Sequence, residues 1–447
     1  MKERHKRLLM KQNPWWINKK EEVPKFERDL ITKIIKYQKY KQITAIVGLR
    51  RVGKTTLMKQ LINKLLKKTN KNNICYISLD DIDFQKYETT EELINYFTEY
   101  SQEKEKRHLF LDEIQKLPHF PDLLKTTYDT EKNLKITISG SASLKLKKYN
   151  ETLAGRILTH HLPTLTYKEF IRYHGLQHKI NRKNLLREYD TKLLTKKEKY
   201  ENLFKKYLTK GAFPELLDID DEEYIKKYIK ESVVEKTIQD IAKLTKENEN
   251  IIYELTRLLA GSNAQLFKIT NLASTLKINR NKASKYIDLL EKTFLIKISY
   301  NYTSSIPKQV RASKKQYITH PSIVLALLDY PLEAIDIKEV SGHLVESTIV
   351  NSLNKTSFWR TPHTEVDIIM KDKEITPIEI KYKNTITKDD IKGITAFCEK
   401  FKVKKGIMVT KNLLEEREIQ GNTIQFIPAW LFLLTNPPPT EKDSLKP

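Results

Sequence analysis

With 447 residues the chain is longer than one ordinary hydrophobic core organises, so roughly two to four domains are expected. Hydrophobic residues make up 39%, charged residues 31%, and Gly and Pro are sparse at 11 and 16, which excludes a collagenous or largely disordered chain and favours helix-rich globular domains. The 81 Lys and Arg against 57 Asp and Glu leave a formal charge of +24. That excess reads either as a positive field for polyanions or as a Lys-rich composition spread over solvated faces.

The basic start, Met1 to Met10, is followed by Asn13, Pro14 and Lys19 rather than an apolar core, so no signal peptide is expected. No apolar run approaches a membrane span. Ala429 to Leu434 is short and runs into Pro437, Pro438 and Pro439, so no membrane partner and a cytoplasmic location are expected. Cys75 and Cys398 lack a CxxC neighbour and are expected to be buried thiols in a reducing compartment.

An amphipathic basic segment over about residues 25–41 leads into Ile43–Val47, a short β-branched run with the character of a buried parallel strand. Ile74–Leu79, His108–Leu111 and Lys135–Ser139 are three further strands, with helical patterns between them. This alternation predicts a mostly parallel α/β sheet.

The first strand opens into Gly48-Leu49-Arg50-Arg51-Val52-Gly53-Lys54-Thr55, which fits G-x-x-x-x-G-K-[ST], and Thr56 continues into a helical pattern. Glycines let such a loop curl so that backbone N–H groups face phosphates, and the helix N-terminus adds its positive end. In this setting Lys54 reaches the β- and γ-phosphates of ATP, and the Thr55 hydroxyl ligates Mg²⁺. The third strand ends in Asp112 and Glu113, which at that strand end hold Mg²⁺ through water and polarise the attacking water, respectively. Ser139 and Ser141, after the fourth strand, read either as sensors of the γ-phosphate or as a Ser-rich turn. Arg156 reads as a transition-state cation, in cis or from a neighbouring subunit, or as a solvated surface arginine.

These residues, with Leu111-Asp112-Glu113-Ile114-Gln115, Ser139-Gly140-Ser141 and Ala154-Gly155-Arg156, resemble a family of archaeal and bacterial AAA-type ATPases. Lys210-Gly211-Ala212-Phe213-Pro214-Glu215 is similar to the Gly-Gly-Phe-Pro-Glu element of that family's helical lid, Ala212 being a departure that puts the local turn geometry in question. The resemblance implies that Arg156 belongs to the nucleotide site.

Beyond about residue 249 three helical patterns, Ile251–Ala260, Lys268–Leu276 and Arg280–Lys292, precede the strand-like runs Phe294–Ile298 and Lys315–Thr319. The three-residue link Lys277–Asn279 has the length of a helix-turn-helix turn. Such a winged helix either reads DNA with its third helix or serves as a packing module. The cations expected to face nucleic acid are Arg280, Lys282 and Lys285 on the third helix and Arg311, Lys314 and Lys315 on the wing. Tyr286 to Glu291 matches the family's usual third-helix pattern.

Finally, Glu365–Met370, a polar turn and Pro377–Lys381 predict a hairpin that gathers Asp367, Glu379 and Lys381 at one edge. Glu346, on the helix Val340–Leu353, adds a third carboxylate. Two carboxylates can hold Mg²⁺ and a lysine can activate water at a phosphodiester. The pattern looks like the restriction-endonuclease fold with its D…ExK signature, in which family ATPases often end. It reads either as a cleaving site or as a degenerate domain that binds without cutting.

The expected architecture is therefore α/β: a basic segment (1–41), a P-loop AAA-type parallel-sheet ATPase core (42–165), a helical lid (166–248), a winged helix (249–335), a restriction-endonuclease-like domain (336–435) and a disordered tail (436–447). The expected activity is Mg²⁺-dependent ATP hydrolysis coupled to nucleic acid. The alternative is an ATP-dependent switch that binds protein partners, in either case as a monomer or a homo-oligomer.

Overall fold

The computed structural model describes residues 2–102, 105–140, 152–176, 193–303, 313–354, 356–371 and 374–435. The tail expected at 436–447 and the calls on Ser141 and Arg311 fall outside them. The chain divides into two compact units, Met1–Pro163 and Thr164–Pro447. Among the described residues no helix is long and apolar enough to cross a membrane.

In the first unit, Glu3–Gln12 (α1) and Leu30–Tyr37 (α2) precede Ile43–Val47 (β1) and Lys54–Leu65 (α3). Ile74–Ser78 (β2), Tyr87–Tyr100 (α4), Arg107–Asp112 (β3), Phe120–Thr130 (α5), Leu134–Gly140 (β4) and Ile157–His161 (β5) follow. The five strands are parallel, in the order β2-β3-β4-β1-β5. Every residue of β1, β3 and β4 is buried, as expected of parallel strands covered on both faces. The runs predicted as strands from Ile43, Ile74, His108 and Lys135 stand where expected. β5 was not predicted because only His160 is fully buried along it, so its sequence carries neither an apolar run nor an alternation.

The basic N-terminal segment covers the sheet edge. β2 is an outer strand, and an outer strand leaves backbone groups unpaired. The Asn13 side chain accepts from Tyr76 N at 2.7 Å and donates to Tyr76 O at 2.8 Å, while the Trp15 indole donates to Ile74 O at 3.0 Å. Trp16 also donates to Ile74 O at 2.9 Å and Gln12 accepts from Ser78 N at 2.7 Å, so four side chains stand in for a neighbouring strand.

The second unit is built on a nine-stranded mixed sheet. Its strands are Leu266–Phe267 (β6), Ile296–Asn301 (β7), Lys314–Ile318 (β8), Thr356–Arg360 (β9), Glu365–Lys371 (β10), Ile375–Lys381 (β11), Lys405–Thr410 (β12), Glu415–Ile419 (β13) and Asn422–Pro428 (β14). They run in the order β13-β14-β12-β11-β10-β9-β7-β8-β6. The helices Glu249–Gly261, Ile269–Thr275 and Arg280–Lys292 precede the antiparallel pair β7–β8. That hairpin is not separate from the C-terminal strands: β7 pairs with β9, Tyr300 opposite Ser357. The boundary expected at residue 335 therefore runs through one continuous sheet, since local periodicity reports a strand but not its partner. Gly211 is right-handed and Ala212 has no positive φ, so the turn resembling Gly-Gly-Phe-Pro-Glu needs no second glycine. Cys75 and Cys398 are buried.

His320 caps the helix Pro321–Leu327, its Nδ1 accepting from Ser322 N at 3.2 Å, and packs edge-on against Tyr207. Burial pushes its pKa from 6.5 down to about 3. Between these values the unfolded chain takes up a proton that the folded chain refuses, so stability falls as pH falls through that window, by at most ~1.4 kcal/mol per pH unit. Urea denaturation at pH 7.5 and pH 5 is expected to show a smaller acid loss for His320→Gln than for the native chain; equal losses would exclude this origin.

Candidate functional site

β1 ends at Val47 and α3 begins at Lys54, so Gly48–Gly53 form a loop that feeds directly into a helix N-terminus. Leu49 and Val52 are buried and anchor the loop from within. Arg51 and Gly53 take left-handed backbone, φ +64° and +93°, which curls the loop back on itself. The first backbone N–H groups of α3, from Lys54 to Thr56, lack partners within the helix and present its positive end to the loop. Lys54, only 5% exposed, donates from Nζ to Gly48 O at 3.2 Å and Leu49 O at 3.0 Å, so its ammonium lies within the loop's curl.

Arg28, which no motif marked, braces the same loop. Its guanidinium donates to Val52 O at 2.7 Å and Pro163 O at 2.9 Å. Arg28→Ala strips both carbonyls of these donors, a loss on the order of 1–3 kcal/mol for one buried and one part-buried acceptor and a buried stem. A lower denaturation midpoint together with weaker ATP binding is the expected pair of results; an unchanged ATP Kd would show that the brace does not reach the loop.

The acids at the end of β3 join the loop through hydrogen bonds. Asp112 is 1% exposed; its Oδ2 accepts from the Thr55 hydroxyl at 2.7 Å and from the Tyr76 hydroxyl at 2.8 Å, and its Oδ1 accepts from Ser139. The Ser139 hydroxyl in turn accepts from Glu113 N at 3.2 Å. Glu113 is half-buried, sits in left-handed backbone at φ +55°, and accepts from the Gln115 amide. Parallel pairing causes this convergence, because the C-terminal ends of β1, β3 and β4 lie side by side. Tyr76 is the member that the motifs did not reveal. Burial, then Asp112, holds its phenol well above the ordinary range.

Arg156 is not brought to this site. Its carbonyl accepts from Ile43 N at 2.8 Å, at the start of β1, whereas the loop leaves the far end of that strand. Four residues at about 3.3 Å each separate the two by ~13 Å. The guanidinium is also held by both carboxylate oxygens of Asp129, at 2.9 and 3.0 Å. The in-cis role expected for Arg156 is thereby corrected: strand direction puts it on the opposite edge.

The cations expected to face nucleic acid fall in different settings. Arg280 is exposed, and Lys314 lies over the Tyr300 ring. Lys282 and Lys285 both pair with Glu247, at 3.2 and 2.8 Å, and these bonds, Lys285 and Tyr286 foremost, hold Glu247 down to about 2. Lys315 is corrected outright. At 5% exposed it is buried among carboxylates, in a strand buried from Lys315 to Ile318, while Lys314 at its start is half-buried.

Those carboxylates include the expected nuclease-like set. The β10–β11 register, Ile368 opposite Ile378, places Asp367 beside Glu379, and Glu346 approaches from the helix Lys338–Ser352. Asp367 Oδ2 accepts from Ile380 N at 2.9 Å, and Glu379 pairs with Lys381. Burial, then the charge of Asp367, pushes Glu346 up to about 7 and raises Glu379 as well. Burial opposes the charge of Lys381, but Asp367 and Glu379 outweigh it and raise that pKa. Among the described residues no group of three or more His, Cys, Asp or Glu is spaced to hold a metal ion.

Comparison with known proteins agrees with the first of these sites. Residues 40–171 match the family model of an AAA domain, residues 201–333 a domain of unknown function (DUF8612), and residues 340–432 another (DUF4143). The chain is 28% identical over 437 residues to the uncharacterized protein MJ1637 of Methanocaldococcus jannaschii, covering 92% of this chain and 89% of that one. It is 30% identical over 295 residues to MJ1544 of the same organism, with 62% and 59% covered. Among solved structures, the Aeropyrum pernix ORC1 protein in complex with DNA overlays with a TM-score of 0.30 at 12% identity, over 71% of this chain and 97% of that one. The Bacillus subtilis DNA clamp loader delta protein gives 0.26 at 13%, over 59% and 87%. Likenesses this faint carry no argument. Loop, network and family model together make residues 40–171 an AAA-type P-loop domain.

Proposed function

We propose that this chain binds ATP at Gly48–Thr56 and hydrolyses it with Mg²⁺. The observation that carries the reading is the bonded set Thr55–Asp112–Ser139–Glu113 at the mouth of the loop. Lys54 balances charge on the β- and γ-phosphates, and the helix N-terminus beneath them adds backbone donors. Thr55 and Asp112 are hard oxygen donors that fit Mg²⁺, which when bound neutralises phosphate charge. Glu113 accepts a proton from the attacking water, with Gln115 orienting its carboxylate. Ser139 links that carboxylate's backbone to Asp112, so a change at the γ-phosphate is felt at both acids. Arg156, held by Asp129 away from its own loop, is either a surface ion pair or a residue that serves the site of a neighbouring copy in a homo-oligomer.

The partner we propose is nucleic acid, contacted by the helix Arg280–Lys292 and the β7–β8 hairpin acting as a winged helix. The net charge of +24 and the exposed Arg280 support it. ATP turnover measured with and without duplex DNA tests it. Stimulation that fades steeply with added salt, and is weakened in Arg280→Glu, is the expected result.

A second reading is favoured by the ion pairs of Lys282 and Lys285 with the single Glu247, which engage cations that would otherwise meet phosphates. Here ATP state governs binding of protein partners, and the C-terminal domain binds without cutting. Turnover indifferent to DNA would select this second reading.

A further inference from the structure

The carboxylates around Asp367 converge on an ammonium from another part of the chain. Lys315, on β8, lies 3.1 Å from Glu346 Oε1 and 3.5 Å from Asp367 Oδ1, and forms an ion pair with Glu365. Each of these acids is anchored by a second bond. Glu346 accepts from the Tyr317 hydroxyl at 2.9 Å, Asp367 from Ile380 N at 2.9 Å, and Glu365 from Arg360 at 2.9 Å. Beside them Glu379, 4% exposed, gives one oxygen to Lys381, and its other oxygen is buried with no hydrogen-bond partner. With Lys315 among them these carboxylates are not spaced to hold a metal ion, yet an orphaned buried carboxylate oxygen, a hard donor, remains beside the anchored acids.

We propose that Lys315 is the resident cation of this cluster. Its ammonium stands where a divalent cation would bridge Glu346 and Asp367, and so keeps the second unit from holding metal and from cutting phosphodiesters. The proposal rests on the nuclease-like reading of Asp367, Glu379 and Lys381. Charge supports it: four carboxylates (Glu346, Glu365, Asp367, Glu379) meet three cations (Lys315, Lys381, Arg360). A divalent ion placed among them would be repelled by Lys315 at close range and would find the nearest oxygens engaged. With Lys315 removed, the bonds from Tyr317, Ile380 N and Arg360 still hold Glu346, Asp367 and Glu365, and no ammonium stands between Glu346 and Asp367.

The test is Mn²⁺ binding to the full chain without nucleotide, read by electron paramagnetic resonance, with every protein carrying Asp112→Asn to silence the nucleotide site. On that background, the chain with Lys315 intact is expected to bind no Mn²⁺ that Asp367→Asn removes. Lys315→Met is expected to gain one Mn²⁺ per chain, at least tenfold tighter than any residual binding, and to lose it when Asp367→Asn is added. Removing Lys315 unpairs buried acids, so Lys315→Met with Glu365→Gln serves as a less charged version, and the comparison with Lys315 intact needs neither variant. If the chain with Lys315 holds Mn²⁺ that Asp367→Asn abolishes, the cation site stands and the role of Lys315 is overturned. If a folded Lys315→Met variant gains none, the cation-site reading itself falls.

Discussion

Glu113→Gln is expected to bind ATP within a few-fold of the native affinity while its turnover falls about 10²- to 10⁴-fold, the range spanned by loss of a positioned general base. The substitution keeps the shape of the side chain and its neighbour Gln115 but removes the proton acceptor. Lys54→Ala should differ in kind. It takes away a buried ammonium that lies against Gly48 O and Leu49 O, so affinity and turnover fall together. Phosphate release and the binding of a fluorescent ATP analogue separate the two patterns. A Glu113→Gln chain that hydrolyses at the native rate would remove Glu113 from the chemistry, and an active Lys54→Ala chain would sink the nucleotide site altogether.

Gly48→Ala is expected to abolish nucleotide binding more completely than its one added methyl suggests. A Cβ there would stand 2.3 Å from the Leu162 carbonyl oxygen, an atom fixed by backbone pairing rather than by a movable side chain. Leu162 N donates to Val47 O at 2.8 Å, so the exit of β5 cannot retreat without breaking the bond that seats the loop. Overpacking of this kind costs on the order of 1–3 kcal/mol, and more where backbone must shift. The expected result is a lower thermal midpoint and no saturable ATP binding. Native-like binding in Gly48→Ala would mean that the strand end yields, and that the glycine serves only the curl of the loop.

Much of the first unit was legible because its signals are local. A buried parallel strand is a short apolar run, a phosphate loop is a fixed spacing of Gly, Lys and Thr, and both lie within about fifteen residues of chain. β5 escaped because an outer strand with partly exposed residues carries no such run. Tyr76 and Arg28 escaped for a different reason. A tyrosine in an apolar strand and an arginine in a basic segment look ordinary until pairing brings one to Asp112 and the other to Val52. In the second unit the helices before the hairpin and the β10–β11 pair were readable, yet the joining of β7 to β9 was not.

The amino-acid sequence by itself determined the elements and the residue types they carry: the loop Gly48–Thr55, the acids Asp112 and Glu113, and the carboxylates Asp367 and Glu379 with Lys381. Only the tertiary structure decided where charged groups of the same kind end up. Parallel pairing set Arg156 on the edge away from its own phosphate loop, and the burial of β8 sent Lys315, but not its neighbour Lys314, into a nest of acids. The physical reason is that a residue's type is written in its side chain, whereas the burial and partners that give a charge its role come from segments remote in sequence.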